Sequence, residues 1–519
     1  MSPSILFTSN PAEYTALERV YVTELAGPGF VQGISRNTVA IAGACVRGPV
    51  DTPVVITSKA RFLEVFGGRD KTADGTGGTY LGEIHKALLG KPFGRLVCVR
   101  ACAAAAVAAS FTLETAANGS GTAVLKVDAS SPGTWGNDVK VKVEAATDGD
   151  ATHFNLRVSY LGQTKLYENL DITTGQDNTL NVIGDDEANW IVLTKLASGT
   201  PLTAAMSGLD SDGYINLGET VASFTSVAGT DGTIADTDYT ATGRAIDQIA
   251  AYPGVALALV AERAGSTING AIITAAATAT DRMFAIWSGN HADEATDVIS
   301  DVAGLTASDR VVYCFNSPYM LDPQTGAQIQ VPPHHAMASC FSQTAVNQHV
   351  GSNRTKAYNA GIKGLTYETL TGDDYKDLRA AGICALERTA GGNPGFVFVS
   401  GVTTDLTSQR SQIARRREVD YLQLSMSEAL QDFVKEENTE DVQAEIGGEV
   451  VAFLSGFKRA KQIVKDFSVE QGPEVNTEEA RAQGVEVIQT NVKLYGHILG
   501  LVLRTNMGTG VTVATDAAA

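Results

Sequence analysis

Few residues in this 519-residue chain stand at spacings that could do chemistry. A nucleophile and a base for hydrolysis would have to come from candidates such as Ser288 and His291. A Ser/His/Asp set built on them would make an α/β hydrolase or protease. No G-x-S-x-G elbow accompanies them. His334-His335 follows Pro332-Pro333, and the next histidine, His349, is fourteen residues on. On an extended segment adjacent side chains point apart, so no shared metal is expected. Asp373-Asp374 and Asp185-Asp186-Glu187 read as solvated acids at turns or helix starts. In Asp210-Ser-Asp212-Gly213 a calcium loop would need a third ligand where Tyr214 stands. Gly90-Lys91-Pro92 lacks the remainder of a P-loop, and Gly75-Thr-Gly-Gly78 does not complete a dinucleotide fingerprint. The sequence therefore predicts no catalytic residue, no cofactor and no metal.

The charge balance narrows partners. Asp and Glu number 58 against 39 Lys and Arg, a net charge of −19. A general nucleic-acid binder needs a basic face, and an anionic membrane surface is disfavoured likewise. Two basic clusters stand against this background. Arg415-Arg-Arg417 falls early in one helix, and Lys458-Arg-Ala-Lys461 with Lys465 is expected to end the next. Each reads as a solvated face or as a docking face for an acidic partner. The six cysteines show no C-x-x-C spacing and are expected as buried, reduced thiols. No basic, apolar leader or run of about 20 apolar residues is seen, so a cytoplasmically made, soluble chain is expected.

The elements that must position these residues follow from periodicity. Thr38–Ala42, Pro53–Thr57 and Arg95–Arg100 read as strands. Ser58 caps a short helix carrying Phe62, Val65 and Phe66 that Gly67-Gly68 stops. A second helix is expected over Tyr80–Leu89. From Ala101 the period becomes two, cleanest in Val139-Lys-Val-Lys-Val143 and also seen at Ala123–Val127 and Phe154–Val158. Strand candidates separated by helical segments return at Val255–Val260, Met283–Trp287, Arg310–Phe315 and Gly395–Val399. Two amphipathic helices follow, one striped by Val419, Leu422, Met426, Ala429 and Phe433, the other by Val442, Ile446, Val450, Phe453 and Phe457. Strands are then expected at Val485–Val487, Asn491–Tyr495 and Ile498–Arg504.

The expected fold is α/β (α+β) and multidomain. Residues 1–24 form an extended arm. Residues 25–100 and 233–400 form a discontinuous α/β core. Residues 101–232 form an inserted antiparallel β-sandwich or barrel. Residues 401–484 form a helical domain, and 485–519 form C-terminal strands with a flexible tail.

Several segments resemble one family in matching order. Ile41-Ala-Gly-Ala-Cys-Val-Arg-Gly-Pro49, Pro53–Ser58 and Arg61-Phe-Leu-Glu-Val-Phe-Gly67 are similar to the start of a contractile-tail sheath protein. Ser131-Pro-Gly-Thr-Trp-Gly-Asn-Asp138, Val331-Pro-Pro333, Gly372–Ile383 and Arg416-Arg-Glu-Val-Asp-Tyr421 extend the likeness. Glu18-Arg19 stand where the family arm often has Pro-Gly. The resemblance implies a non-enzymatic subunit of stacked hexameric rings around a tail tube, in a virion tail or injection-system particle assembled in the host bacterial cytoplasm. Contraction of such rings drives the tube through a cell envelope. It implies homo-oligomer, tube, baseplate and tail-terminator partners, with no direct nucleic-acid contact and no membrane insertion. It also implies subunit linking through the arm residues Val20, Tyr21, Val22 and Thr23. The C-terminal residues Val492, Leu494, Leu499, Leu501 and Leu503 would link subunits too, and Lys458, Arg459, Lys461 and Lys465 would face the tube. An α/β hydrolase with a β insertion, or an adhesin built on the β region, is the rival reading.

Overall fold

The computed structural model describes residues 38–68, 95–115, 121–172, 190–196, 202, 213–219, 224–261, 266–278, 283–321, 326–357, 359–389, 394–407, 411–477, 481 and 484–497. Strands and helices are numbered along the described chain. The arm residues Val20–Thr23, the helix expected at Tyr80–Leu89, Leu499, Leu501 and Leu503 lie outside the described residues. So do Gly75–Gly78, Asp185–Glu187, Asp210 and Asp212.

An eight-stranded sheet organises residues 34–421. Its strands are β1 (Thr38–Gly43), β2 (Pro53–Ile56), β3 (Arg95–Arg100), β12 (Leu257–Val260), β13 (Phe284–Ser288), β14 (Val311–Phe315), β18 (Ile383–Arg388) and β19 (Phe396–Phe398). The order is β19-β18-β14-β13-β12-β1-β3-β2. The six inner strands run parallel, and antiparallel β2 and β19 close the edges. Strands β1 and β12 pair directly, with Val39 opposite Leu257, although the whole β-rich segment lies between them. Their near-continuous apolar sequences suit a sheet covered on both faces.

One face packs Ile41, Leu96, Leu259, Ile286 and Val312 against α1 (Lys59–Phe66) and α6 (Pro333–Gln343). The other packs Ala40, Val97, Ala258 and Ala285 against α3 (Ala245–Ala251), which follows the short α2 (Thr237–Thr240), and α4 (Ser266–Thr278). Beyond them Trp287, Val311 and Tyr313 meet α5 (Ala295–Ala303) and α7 (Gly372–Ala380). Helix α1 begins as its sequence dictates: Ser58 Oγ accepts the Arg61 N–H at 3.1 Å, and Gly67, at φ 78°, ends it.

The period-2 segment forms two antiparallel sheets over one apolar core. The first contains β6 (Lys140–Ala145), β7 (Phe154–Tyr160), β8 (Gln163–Leu170) and β10 (Ile215–Asn216). The second contains β4 (Ser110–Glu114), β5 (Ala123–Ala129), β9 (Ile191–Lys195) and β11 (Ser226–Val227). A further small sheet, β15 (Pro318–Leu321), β16 (Gln328–Gln330) and β17 (Ile362–Leu365), was not foreseen, because three- and four-residue strands carry almost no periodicity.

The second compact unit takes the chain from Leu422. Helix α8 (Ile413–Ala429) crosses that boundary, and a 3₁₀ turn follows at Leu430–Phe433. Helix α9 (Glu440–Arg459) packs on a hairpin of β20 (Val464–Glu470) and β21 (Gln489–Leu494). Two expectations need correction here. Lys465 does not end α9: the helix stops at Arg459, and Lys461 and Ile463, at φ 52° and 50°, turn the chain into β20. Val485–Val487 is not a strand either. Asn476, buried, donates to the Val487 carbonyl at 2.7 Å and accepts its N–H at 2.5 Å, replacing a ladder partner with one amide side chain.

Phe62 is fully buried between α1 and the sheet. Phe62→Ala should therefore lower stability by about 3–5 kcal/mol. Leu161→Ser, at a hairpin tip where the side chain is 77% exposed, should stay within about 0.5 kcal/mol. Urea unfolding of both variants checks the contrast.

Candidate functional site

The residues singled out for hydrolytic chemistry are used for packing. Ser288 Oγ pairs with His334 Nδ1 at 2.8 Å, while His291 Nδ1 meets Ser317 Oγ at 2.9 Å. Ser288 and His334 are buried, and the adjoining cavity holds about 10 Å³. That is room for one water at most. Neither ring nitrogen of His334 bonds a carboxylate among the described residues. His334 and His335 are not on an extended segment as expected. They occupy the first turn of α6, where Pro333 takes the position that needs no N–H, and their rings lie 4.8 Å apart.

Asp373 and Asp374 do start a helix. Thr371 Oγ1 accepts the Asp374 N–H at 3.2 Å and Asp374 returns the bond at 2.8 Å. These bonds hold the Asp374 carboxyl below its ordinary pKa. All six cysteines are buried and unbridged, and burial pushes the Cys45 thiol up to about 12.

Two members of the Arg415–Arg417 cluster, Arg416 and Arg417, turn inward instead of forming a solvated face. Asp420 is 2% exposed at its side chain and takes a bidentate pair from Arg310, with Arg310 Nη2 at 2.7 Å. Arg416 adds Nη2 at 2.8 Å to Asp420 and Nη1 at 3.2 Å to Asp309. Arg417 is 3% exposed and lies 4.1 Å from the Phe341 ring centroid. It donates to the Thr344 hydroxyl at 2.8 Å and to the Thr344 and Phe341 carbonyls at 2.9 and 3.1 Å. Those carbonyls end α6, so the guanidinium caps acceptors that the helix leaves unpaired and meets the negative end of its dipole. The first turns of α8 are thereby fastened to β14 and α6. The signal that could have found this was Asp420, four residues after Arg416 on one helix face.

A second arginine pair fastens the β-rich insertion. Arg100, at the end of β3, donates to the carbonyls of Gly48 at 3.0 Å, Val46 at 3.3 Å and Pro132 at 2.8 Å. Arg47 Nη2 reaches the carbonyls of Leu63 and Glu64 at the end of α1. Within Ser131–Asp138, Ser131 Oγ accepts the Gly48 N–H at 3.1 Å, and Asn137 exchanges two bonds with Gly229. Gly229 approaches so closely that a Cβ there would lie 2.3 Å from the Gly133 carbonyl. A cleft of about 1130 Å³ beside this junction is lined by Arg47, Glu64, Trp135, Tyr160, Lys165 and Trp190.

In the second unit the hairpin offers edges. Val464 pairs with Leu494 and Glu470 with Gln489, and among the described residues neither outer edge is paired. Val492 and Leu494 lie on β21 and are half-buried. Lys458, Arg459, Lys461 and Lys465 are all exposed. Lys458 is held by Asp466 at 2.6 Å, which lowers the Asp466 carboxyl.

No protein-family model matches the sequence, and no curated protein does. Solved structures do match. The sheath tail protein of Desulfitobacterium hafniense superposes with a TM-score of 0.56 at 14% identity, over 87% of this chain and 93% of its own. That of Listeria innocua gives 0.56 at 13% identity, over 89% and 96%. The sheath of an extracellular contractile injection system in its contracted state gives 0.53 at 11% identity, over 95% and 98%. The fold is that of tail sheath proteins. Within this sheath fold, the motifs Arg47–Pro49, Ser131–Asp138 and Arg416–Tyr421 have structural work: they join the insertion and α8 to the central sheet.

Arg417→Met should leave three acceptors without their donor and cost about 3–5 kcal/mol. Arg415→Met, at a half-buried position of the same run, should cost under about 1 kcal/mol. Equal losses in chemical unfolding would mean that the two positions do not differ in this way.

Proposed function

We propose that this chain is the non-enzymatic subunit of a contractile tail sheath. It polymerises as stacked hexameric rings around a tail tube and contracts to drive the tube through a target envelope. The observation that carries the reading is the likeness to a contracted injection-system sheath along 95% of this chain. Residues 1–24 and 485–519 act as exchange arms flanking the core (25–100 and 233–400), the insertion (101–232) and the helical domain (401–484). The particle is a virion tail or an injection system assembled in the bacterial cytoplasm, with tube, baseplate and terminator proteins as partners.

The β20–β21 hairpin supports this reading physically. Helix α9 covers this two-stranded sheet, but its open edges remain templates for added strands. In the proposed polymer those strands are Val20–Thr23 and the segment containing Leu499, Leu501 and Leu503, donated by neighbouring copies. Neighbours can then rotate as rigid bodies while the arms hold the lattice together. The work of contraction comes from the difference between two packings, which requires no nucleotide.

Truncation after Tyr495 keeps the hairpin and removes the donated segment. Negative-stain microscopy should show hollow striated cylinders for the full chain and only folded monomers for the truncated one. Cylinders of normal length from both would refute strand donation. The tube contact is tested separately. Lys461→Glu with Lys465→Glu leaves the Lys458–Asp466 pair in place. On co-expression with the tube protein this variant should give sheath polymers without tubes inside. Full tube occupancy would return these lysines to the role of solvated charges.

A further inference from the structure

The buried histidine cluster at the start of α6 is absorbed by neither catalysis nor assembly. His334 is 4% and His335 0% exposed. Ser288 on β13 bonds the His334 ring, His335 on α6 itself lies with its ring 4.8 Å away, and the charge of His291, in the turn after β13, acts on it in the same direction as that of His335. The titratable groups among these are His335 and His291, and both would add like charge. The first turn of a helix also carries the positive end of the dipole. A proton placed here meets low dielectric, a helix N-terminus and two imidazoles.

We propose that the His334–His335 cluster is an acid-sensitive latch: it holds the core together only while His334 is neutral, and acidification releases α6 from β13. The device is independent of the sheath reading, because it concerns the folding of the core in any assembly.

Burial, and then the neighbouring imidazoles, depress the His334 pKa well below its ordinary value. The sign follows. A group whose folded pKa lies below its unfolded value of about 6.5 contributes stability in the neutral form. That contribution is complete above about pH 6.5 and is lost as pH falls below it. The folding constant should then drop by up to about tenfold per pH unit for the one excluded proton. Ser288 does not set this direction, since its hydroxyl can donate to a neutral imidazole or accept from a charged one.

The test compares full-length wild type with His334→Asn, whose side-chain oxygen can replace Nδ1 as the partner of Ser288 without titrating. Urea midpoints are measured from pH 7.5 to 5.0. The wild type should lose stability more steeply, the difference approaching tenfold in folding constant per pH unit below pH 6. Identical slopes overturn the latch. Should the variant not fold, exchange of the histidine C2 hydrogens in the wild type, read peptide by peptide by mass spectrometry, gives each imidazole's pKa. The His334 midpoint should lie well below the ordinary histidine value. That of half-buried His153, paired with Asp148, should lie above its ordinary value. A His334 midpoint near 6.5 in the folded protein overturns the proposal.

Discussion

The parallel pairing of β1 with β12 is the constraint from which the rest of the larger unit follows. These strands are adjacent at the centre of the sheet, yet the whole β-rich segment is threaded between them. Closing so long a loop costs little more than closing a short one, because the entropy grows only with the logarithm of length. It does require both ends of the insertion to return to one place. Val107 and Thr230 exchange two main-chain bonds of 2.9 Å that pin the exit to the entry, and Asp231 accepts the Thr134 N–H at 2.9 Å to hold the Ser131–Asp138 turn against the same exit. Arg100 then ties the same junction to the end of β3.

Arginine recurs at these junctions for a reason of geometry. Its planar fork can satisfy several carbonyls at once, which a lysine ammonium does less rigidly. Arg47, Arg100 and Arg417 are buried and mostly face main-chain carbonyls, while Arg310 faces Asp420. Removing such a partner leaves an uncompensated charge or unpaired acceptors in low dielectric, so the junctions tolerate little change. A chain with a net charge of −19 thus keeps several of its scarce cations inside, where they join elements and do not greet a partner.

Legibility in the sequence tracked how local the cause was. Strands β1, β3, β6, β7, β13 and β14 were readable because one face or both are buried and the apolar pattern says so. The cap at Ser58 was readable because a cap is a four-residue event, whereas the Thr371 cap that starts α7 was not read. Arg416 and Arg417 were misjudged because their partners Asp309, Phe341 and Thr344 are more than seventy residues away. His334 was misjudged because the two prolines before it were taken to extend the chain, whereas Pro333 opens a helix. Lys465 was placed on α9 because Lys and Arg continue past its end, and only the left-handed residues Lys461 and Ile463 mark the stop. The fold was therefore visible in outline, and the contacts joining its parts were not.

The smaller unit poses the opposite problem. Helix α9 buries Val450 and Leu454 within the chain, yet Val442, Ile446, Phe453 and Phe457 of the same stripe remain only half-buried and Val451 is exposed. The hairpin beside it alternates between half-buried and exposed residues along most of its length. Among the described residues this regular stripe is only half covered. In the proposed sheath the missing cover is other subunits. If the proposed polymer forms, burying the rest of this stripe would supply part of its driving force.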